Sequence, residues 1–359
     1  MAPIRPPKTN PSMMDVARRA GVSIATVSNH INGKGRLSEA TAERIQKAVA
    51  ELGFVRNDAA RFLATGSTNS LGMVVADLDN SLFVDMAHGA QQGAEEAGLR
   101  LLLGNAACTI DRQDDYLHLF DEARVAGLLL APMEDSLAGI ERMRSHGRPI
   151  VLLNYQQKNA DCCTVLVDNE NVGYVAARHL IEIGRRRIAF VAGLDYYQPV
   201  YARREGVRQA VAEAQGVTLE EFQTDGLRFE DGLAVAGMFS LRGKDELPDG
   251  VVAVTDDIAN GLAWGLHSDL IAKVPQDISI VGCEDNRSAQ SGPVPLTAVR
   301  LAGVEMGEAA TILVLEELNT PPEEHVHRTI VLKPSLVLRA STASATNAVT
   351  PKSRTPIDR

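Results

Sequence analysis

The chain has 359 residues, four cysteines and a formal net charge of −10, which indicates a globular protein larger than one typical domain. It contains no run of 18 apolar residues, and its amino terminus has no apolar core region, so the sequence predicts neither a membrane span nor a secretory signal. We therefore expect a cytoplasmic protein whose cysteines are reduced.

The charge is divided unevenly along the chain. Residues 1–66 hold ten Lys and Arg against five acids, a net charge of +5, whereas the remaining residues hold 26 basic and 41 acidic side chains, a net charge of −15. Phosphate attracts a basic segment and repels an acidic one. This asymmetry favours a nucleic-acid-binding head on a body that stays off nucleic acid.

The basic head predicts three short helices. Ser12 can cap the first helix, Gly21 supplies a left-handed turn, and Ser23 can cap the second helix. The third helix follows Ser38 and ends at Gly53. The apolar positions expected to share one core are Met13, Val16, Ala17, Ala20, Val27, Ile31, Ala42, Ile45, Val49 and Leu52.

The outward face of the second helix is small and uncharged. It consists of Ile24, Ala25, Ser28 and Asn29. Solubility does not explain such a face, whereas a recognition helix in a major groove needs side chains that approach base edges closely. The alternative is an ordinary three-helix cap without a nucleic-acid role.

A further short helix is predicted from Asn57 to Thr65, in "NDAARFLAT". It is too short to be stable alone in water, so we expect it to order against a partner. Leu63 would be its exposed apolar tip, suited to wedging between base pairs from the minor groove; alternatively, it packs on its own chain.

After Asn69 the chain alternates apolar runs with amphipathic stretches. The runs include "LGMVVAD", "LRLLLGN", "VAGLLLAP", "PIVLLNY", "IAFVAG", "GVVAVTD" and "ISIVGCE", and the helical stretches include 86–97, 172–183 and 202–215. Continuous apolar strands separated by helices indicate parallel sheets covered on both faces. The predicted fold class is therefore α/β, with two doubly wound halves and a cleft between them.

The ordered set "DVARRAGVSIATVSNHING", "AARFLATGSTNSLGMVV", "VPQDISIVGCED" and "PLTAVR" closely resembles the lactose-repressor (LacI) family of bacterial transcription regulators. The resemblance covers about residues 12–340 and implies a periplasmic-binding-protein-like body. It implies base reading by Ile24, Ala25 and Asn29, and phosphate positioning by hydroxyls. The full set of DNA-binding positions it implies is Ser23, Ile24, Ala25, Thr26, Ser28, Asn29, Arg61 and Leu63.

The resemblance also implies the domain organisation. The expected segments are a disordered arm (1–11), a helix-turn-helix domain (12–56), a hinge helix and linker (57–68), an effector-binding and dimerisation domain (69–340) and a disordered tail (341–359). Lobe 1 would comprise about 69–168 and 299–329, and lobe 2 about 169–296 and 331–340. The chain would cross between the lobes near 168–171, 295–300 and 329–331.

An effector site is expected in the cleft between the lobes. By resemblance, Arg203 would grip the effector, because its planar fork of donors suits vicinal hydroxyls or a carboxylate, and Glu284 would accept from the opposite wall. The weaker candidates are Leu82, Phe83, Asn154, Thr255 and Asp256. Leu301 stands where relatives often carry a sugar-contacting polar residue, which argues against a simple hexose; Tyr196, Tyr197 and Trp264 are possible stacking surfaces.

Catalytic motifs are absent from the sequence. It has no GxSxG, HExxH or GxxxxGK[ST], and its cysteines and eight histidines lack metal-ligand spacing, so we expect neither an enzyme nor a metal or other cofactor.

The sequence therefore predicts a ligand-responsive dimeric repressor that binds a palindromic operator. We expect a small polar metabolite, such as a sugar or nucleoside, to release it from DNA. The tail lacks leucine heptads, which argues against a coiled-coil tetramer. The alternatives are a two-lobed small-molecule-binding protein without regulatory DNA binding, and a regulator controlled by a protein partner.

Overall fold

The protein is described by a computed structural model for residues 11–31, 37–54, 68–132, 136–158, 161–193 and 197–342. The chain divides into two compact units, Met1–Thr68 and Asn69–Arg359. Residues 1–10 of the predicted arm (1–11), the predicted hinge helix with Arg61 and Leu63, Tyr196 and residues 343–359 lie outside the described residues.

The described part of the first unit contains three helices: α1 Met13–Ala20, α2 Ile24–Ile31 and α3 Glu39–Leu52. Ser12 caps α1 and forms a reciprocal capping box with Asp15, as the sequence predicts. The Ser23 hydroxyl accepts a hydrogen bond from the Thr26 N–H at 3.1 Å and so caps α2. Gly21 and Gly53 end α1 and α3 with left-handed φ values of 65° and 60°.

The head has a very small core. Its fully buried apolar residues are Val16, Ala17, Ala20, Val27, Ile45 and Ala48. The sequence predicted Ala42 and Val49 as buried positions of α3, but both are only half-buried. Ala48, which was not predicted, is buried. Half of this core is alanine, so Val16, Val27 and Ile45 contribute most of its apolar surface.

The second unit contains two lobes, each built on a six-stranded sheet. The first sheet has the order β11-β5-β4-β3-β1-β2 with all strands parallel, and the second has the order β12-β10-β9-β8-β6-β7 with only β12 antiparallel. Strands of the first sheet are β1 Ser70–Val75, β2 Arg100–Asn105, β3 Gly127–Leu130, β4 Ile150–Leu153, β5 Cys163–Val167 and β11 Thr329–Leu332. Strands of the second sheet are β6 Arg187–Ala192, β7 Thr218–Gln223, β8 Gly250–Ala253, β9 Ser279–Gly282, β10 Thr297–Arg300 and β12 Ser335–Val337.

Helices cover both sheets. The helices of the first lobe are α4 Ser81–Glu96, α5 Ile110–Glu122, α6 Leu137–Ser145 and α11 Gly303–Asn319. The helices of the second lobe are α7 Asn169–Glu182, α8 Gln198–Ala212, α9 Phe229–Ser240 and α10 Asp256–Ser268, together with short 3₁₀ turns at Lys244–Glu246 and Arg287–Gln290. None of the helices in the described ranges combines the length and the apolar character that crossing a bilayer would require.

The central strands are mostly apolar because both of their faces are packed. In β3, Leu128 and Leu130 join the cluster of Leu117 and Phe120 from α5, whereas Leu129 joins the cluster on the opposite face. Successive side chains of a strand point to opposite faces, so a run such as "GLLL" is required where helices cover both.

The chain crosses between the lobes three times, and two of these crossings differ from the predicted positions. The first lies at Asp168, which caps α7 directly after β5. The second lies at 301–302 and not at 295–300, because Thr297–Arg300 pairs as β10 in the second sheet. The third lies at 333–334 and not at 329–331, because Thr329–Leu332 pairs with β5 of the first sheet.

The prediction that the disordered tail begins at residue 341 is also wrong. Ser341 and Thr342 are buried, and the Ser341 hydroxyl accepts a hydrogen bond from the Thr297 N–H at 2.8 Å. This hydrogen bond satisfies a backbone group of β10, so Ser341 and Thr342 belong to the ordered body.

Candidate functional site

The two lobes enclose a cavity of about 360 Å³. Its lining residues follow β1, β3 and β4 in the first lobe and β6, β7, β8 and β9 in the second. The cavity therefore lies at the carboxyl ends of the strands, where open α/β sheets place ligands. A separate cavity of about 410 Å³ lies in the second lobe, towards the amino end of β9, and contains none of the predicted site residues.

A buried ion pair forms the wall of the interlobe cavity. Arg203, on α8, is 2 % exposed and Glu284, after β9, is 4 % exposed. Arg203 Nη1 lies 3.5 Å from Glu284 Oε1 and donates to the Val254 carbonyl at 2.6 Å. A buried charge is tolerated only when it is paired and hydrogen-bonded, so this pair fixes both side chains at the cavity.

Two asparagines form a hydrogen-bonded chain that ends at Arg203. Arg203 Nε donates to Asn169 Oδ1 at 3.0 Å, and Asn169 Nδ2 donates to Asn154 Oδ1 at 2.8 Å. Asn154 lines the cavity and has a left-handed φ of 52° after β4. This hydrogen-bonded chain connects Asn154 of the first lobe to the Arg203 guanidinium of the second lobe. The position of Arg203 therefore depends on how the lobes are arranged.

Direct contacts also bridge the lobes at the mouth of the cavity. Asn80 Nδ2, from the first lobe, donates to both carboxylate oxygens of Glu284 at 3.1 Å. Asn286 Nδ2 donates to Asn80 Oδ1 at 3.2 Å and to Glu284 Oε2 at 2.9 Å. Arg228, after β7, pairs with Asp77, after β1, at 2.9 Å and so forms a further contact between the lobes. Glu284 thus belongs both to the cavity and to the interlobe contact.

The remaining predicted residues are placed as follows. Leu82 and Phe83 line the cavity, and so does Thr255, whose side chain caps α10 and donates to the Leu227 carbonyl. Asp256 is fully buried and is absent from the lining; its Oδ2 accepts from the Asn286 N–H at 2.8 Å, and the neighbouring Asp257 lines the cavity.

Of the possible stacking residues, Tyr197 and Trp264 are described, and Leu301 was the residue that argued against a simple hexose. Tyr197 lines the cavity, Leu301 is buried without lining it, and Trp264 is 43 % exposed on α10 without lining it. The sequence analysis missed Asn80, Arg228, Asn169 and Asp257. Asn80 lies in "DLDNS" directly after an apolar strand, which was an available signal.

Burial changes the protonation of Glu284, the carboxyl at the wall of the interlobe cavity. It raises the pKa of Glu284 to about 7, with Arg203 and the Asn80 amide acting in the opposite direction. Burial also raises the pKa of Asp256 well above its ordinary value, and the charge of Glu284 adds to this effect. The protonation of Glu284 and that of Asp256 therefore depend on each other, and Glu284 titrates near pH 7.

This shift predicts a pH-dependent stability. Because the pKa of Glu284 is raised in the folded state, that state binds more protons than the unfolded chain, and the free energy of unfolding falls as pH rises from about 4.5 to about 7. We expect Glu284→Gln to remove about 3 kcal/mol of this pH dependence, whereas the exposed Glu96→Gln leaves it unchanged. Melting curves over this range measure the effect; superimposable profiles for wild type and Glu284→Gln would contradict the shift.

Close packing of α7 against α8 positions Arg203. A Cβ atom on Gly173 would lie 1.8 Å from the Arg203 carbonyl oxygen, so only glycine permits this approach. We expect Gly173→Ala to lower the free energy of unfolding by about 1–3 kcal/mol through overpacking. Gly237→Ala is the matched control, because a Cβ there meets nothing within 4 Å. Chemical denaturation distinguishes them, and equal stability of the two variants would contradict this close approach.

The head presents the predicted recognition face to solvent. Ile24, Ala25 and Asn29 are exposed, with Ile24 at 50 %, whereas Val27 on the opposite side of α2 is fully buried. Ser28 is half-buried. The Ser23 and Thr26 hydroxyls are 2.8 Å apart at the amino end of α2. An exposed isoleucine beside small polar groups is what close contact with base edges requires.

A helix-turn-helix head followed by a two-lobed α/β body with an interlobe cavity defines a class of transcription regulators. Residues 12–57 match the family model described as "Bacterial regulatory proteins, lacI family", and residues 177–342 match "Periplasmic binding protein-like domain". The chain is 30% identical over 329 residues to the HTH-type transcriptional repressor PurR of Vibrio campbellii, covering 91% of this chain and 97% of the relative.

Solved structures give the same result. A LacI family transcriptional regulator from Enterococcus faecium with bound ribose is 25% identical, with a TM-score of 0.69, and the match covers 76% of this chain and 98% of that one. The lac repressor dimer bound to operator and the anti-inducer ONPF is 21% identical, with a TM-score of 0.78 and coverage of 94% and 100%. The chain belongs to the LacI family of bacterial transcription regulators, and it is a DNA-binding repressor and not an enzyme.

Proposed function

We propose that the protein is a homodimeric repressor that binds a palindromic operator and is released by a small, neutral, polar metabolite bound between the lobes. The main support for a ligand site is the buried Arg203–Glu284 ion pair at the wall of the interlobe cavity. As a bacterial regulator of transcription, it would act in the cytoplasm.

The charge of the cavity favours a neutral ligand. Five acids, Asp77, Asp79, Asp225, Asp257 and Glu284, line it against two arginines, Arg203 and Arg228. Even with Glu284 partly protonated near neutral pH, the carboxylates outnumber the arginines and would repel a phosphate ester, whereas hydroxyl groups can donate to carboxylates. A sugar or nucleoside therefore fits better than a sugar phosphate. The Enterococcus faecium relative was solved with ribose, which supports a polyol ligand.

The apolar part of the lining supports the same ligand class. Leu82, Phe83, Leu153 and Val200 line the cavity together with the polar groups. Sugar rings and nucleosides have apolar faces as well as hydroxyls, and ligand sites combine apolar walls with a few placed polar groups. Arg203, Glu284 and Asn154 would orient the hydroxyls.

The interlobe contacts suggest how the ligand would act. Glu284 accepts from Asn80 of the opposite lobe, and Asn154 reaches Arg203 through Asn169. A ligand that takes over some of these hydrogen bonds would change the relative free energies of two lobe arrangements. Such a differential affinity is what an effector needs in order to shift DNA affinity.

On the DNA side, we propose that α2 reads bases in the major groove. Ile24, Ala25 and Asn29 would contact base edges, while the Ser23, Thr26 and Ser28 hydroxyls would position phosphates. One such head reads few base pairs, so two are needed, and a two-fold dimer would match a palindrome. Arg61 and Leu63 remain proposals from the sequence alone, as phosphate contact and minor-groove wedge.

A thermal-shift screen of neutral sugars, nucleosides and their phosphate esters tests the ligand class. A ligand that binds the folded state raises the melting temperature in proportion to RT ln(1 + [L]/Kd). We expect stabilisation by a neutral compound and none by its phosphate ester. Stabilisation by the ester alone would contradict a neutral ligand, and no stabilisation by any compound would favour control by a protein partner.

Asn29→Ala is expected to change operator preference. A base-edge contact carries sequence information, so its loss should cost about 1–3 kcal/mol at one base-pair position and leave affinity for scrambled DNA unchanged. Gln46→Ala, an exposed amide on α3, is the matched control. Operator variants titrated at a single salt concentration measure the effect. Equal weakening on cognate and scrambled DNA would count against this placement of α2.

A further inference from the structure

Four side chains at the amino end of β5 form a cluster separate from the effector cavity. Cys163 begins β5, Glu317 lies in the last turn of α11, and His325 and His327 lie between α11 and β11. One potential ligand atom from each residue lies within 4.8 Å of all the others. The effector cavity lies at the carboxyl ends of the same sheet, so the two places are at opposite ends of the strands.

The separations within the cluster match a tetrahedral metal site. Cys163 Sγ lies 3.5 Å from His325 Nε2 and 3.7 Å from His327 Nδ1. Glu317 Oε2 lies 3.6 Å from His325 Nε2 and 3.9 Å from His327 Nδ1. Tetrahedral zinc with bonds of about 2.0–2.3 Å requires ligand atoms about 3.3–3.6 Å apart. Four of the six separations therefore lie within a few tenths of an ångström of the tetrahedral range, and the other two are no longer than 4.8 Å.

We propose that Cys163, Glu317, His325 and His327 form a structural zinc site in the first lobe. One thiolate, two imidazoles and one carboxylate are a ligand set that Zn²⁺ prefers, whereas Mg²⁺ and Ca²⁺ require oxygen ligands. Four protein ligands fill a tetrahedral shell, which is typical of structural sites and leaves no open position for substrate.

The surroundings of the cluster support a bound cation. Glu317 Oε2 is buried and has no hydrogen-bond partner within the described ranges, a costly arrangement that a cation would relieve. Asp161 Oδ1 lies 3.4 Å from Nε2 of His327, the ring nitrogen that would face away from the ion. A carboxylate on the second nitrogen orients a metal-bound histidine. Arg144 pairs with the other oxygen of Asp161 at 3.1 Å.

Zinc binding to this cluster would release protons. The ion binds the deprotonated thiolate and carboxylate and the neutral imidazoles, so zinc affinity should increase with pH.

A bound ion would connect three elements of the first lobe. It would tie the carboxyl end of α11 and the segment 320–328 to β5, beside β11. Such a cross-link stabilises the folded state, because the unfolded chain does not hold the four ligands together.

The test uses the full-length protein loaded with Zn²⁺, desalted and measured by elemental analysis. We expect about one zinc per chain in wild type and at least about tenfold less in Cys163→Ser, His325→Gln and His327→Gln. Cys162→Ser, which alters the adjacent buried thiol, and His146→Gln, which alters a histidine paired with Asp121, are matched controls that should retain the metal. Asp161→Asn should weaken zinc binding by about 10- to 100-fold.

A chelator and Co²⁺ provide independent readouts. A chelator should lower the melting temperature of wild type and leave that of His325→Gln unchanged, and Co²⁺ should give a thiolate charge-transfer band that Cys163→Ser lacks. If Cys163→Ser does not fold, the two histidine variants decide. Zinc retained equally by wild type and both histidine variants would identify adventitious metal, and a wild type that binds none at micromolar Zn²⁺ would identify a hydrogen-bonded cluster; either result overturns the proposal.

Discussion

Arg203→Ala is expected to bind operator with unchanged affinity and to lose its response to the effector. Arg203 is 2 % exposed at the wall of the cavity and belongs to the body, whereas the proposed DNA contacts belong to the head. Truncation leaves ligand hydroxyls without a charge-assisted donor, which should cost about 2–4 kcal/mol, or about 30- to 1000-fold in ligand affinity. For an inducer, this variant would stay on DNA; for a corepressor, it would stay off.

Calorimetry with the identified effector measures this effect. Arg208→Ala is the matched control, since Arg208 lies on the same helix but is exposed and pairs with Glu205 and Glu221. Removing Arg203 leaves Glu284 buried without its cation, so Arg203→Lys provides a second variant that keeps the charge and loses the planar fork. Wild-type ligand affinity in both Arg203 variants would exclude Arg203 from the site.

Ile45→Ala is expected to weaken operator binding strongly and leave ligand binding intact. Ile45 is fully buried in a core that consists of three alanines, two valines and itself. Truncating a buried isoleucine costs about 2–5 kcal/mol. A domain as small as the head has a stability of only a few kcal/mol, so most molecules should lose the folded head. The body has its own core and should be unaffected.

Two measurements on one sample check this separation. Operator titration should show binding reduced at least about 30-fold, following from a destabilisation of about 2 kcal/mol or more beyond the stability of the head. Calorimetry should give wild-type effector affinity. Gln46→Ala, exposed on the same helix, should bind operator normally. Loss of ligand binding in Ile45→Ala would mean that the two units do not fold independently.

The sequence predicted the fold wherever apolar periodicity determines structure. The buried central strands β1, β3, β4, β8 and β9 have continuous apolar runs, because helices cover both faces of each sheet. The edge strand β7, "TLEEFQ", was missed, since most of its side chains face solvent and need not be apolar. The crossing predicted at 329–331 was misplaced because β11 is short and pairs with β5, which is distant in sequence.

The candidate site was only partly predictable, for a similar reason. Arg203 and Glu284 came from family resemblance, and the structure places both at the cavity wall. Asn169 supports Arg203 from 34 positions away in the chain, and only the fold brings them together. The cluster of Cys163, Glu317, His325 and His327 was missed because Cys163 lies 162 positions before His325, and only the fold brings it to the other three residues.

The central claim is that ligand in the interlobe cavity and operator on the head are thermodynamically coupled. The most direct test measures effector affinity of wild type by calorimetry with and without saturating operator, and operator affinity with and without saturating effector, at one salt concentration. Linkage requires the two ratios to be equal, and we expect about 5- to 150-fold. Effector affinity that is identical with and without operator would contradict the account.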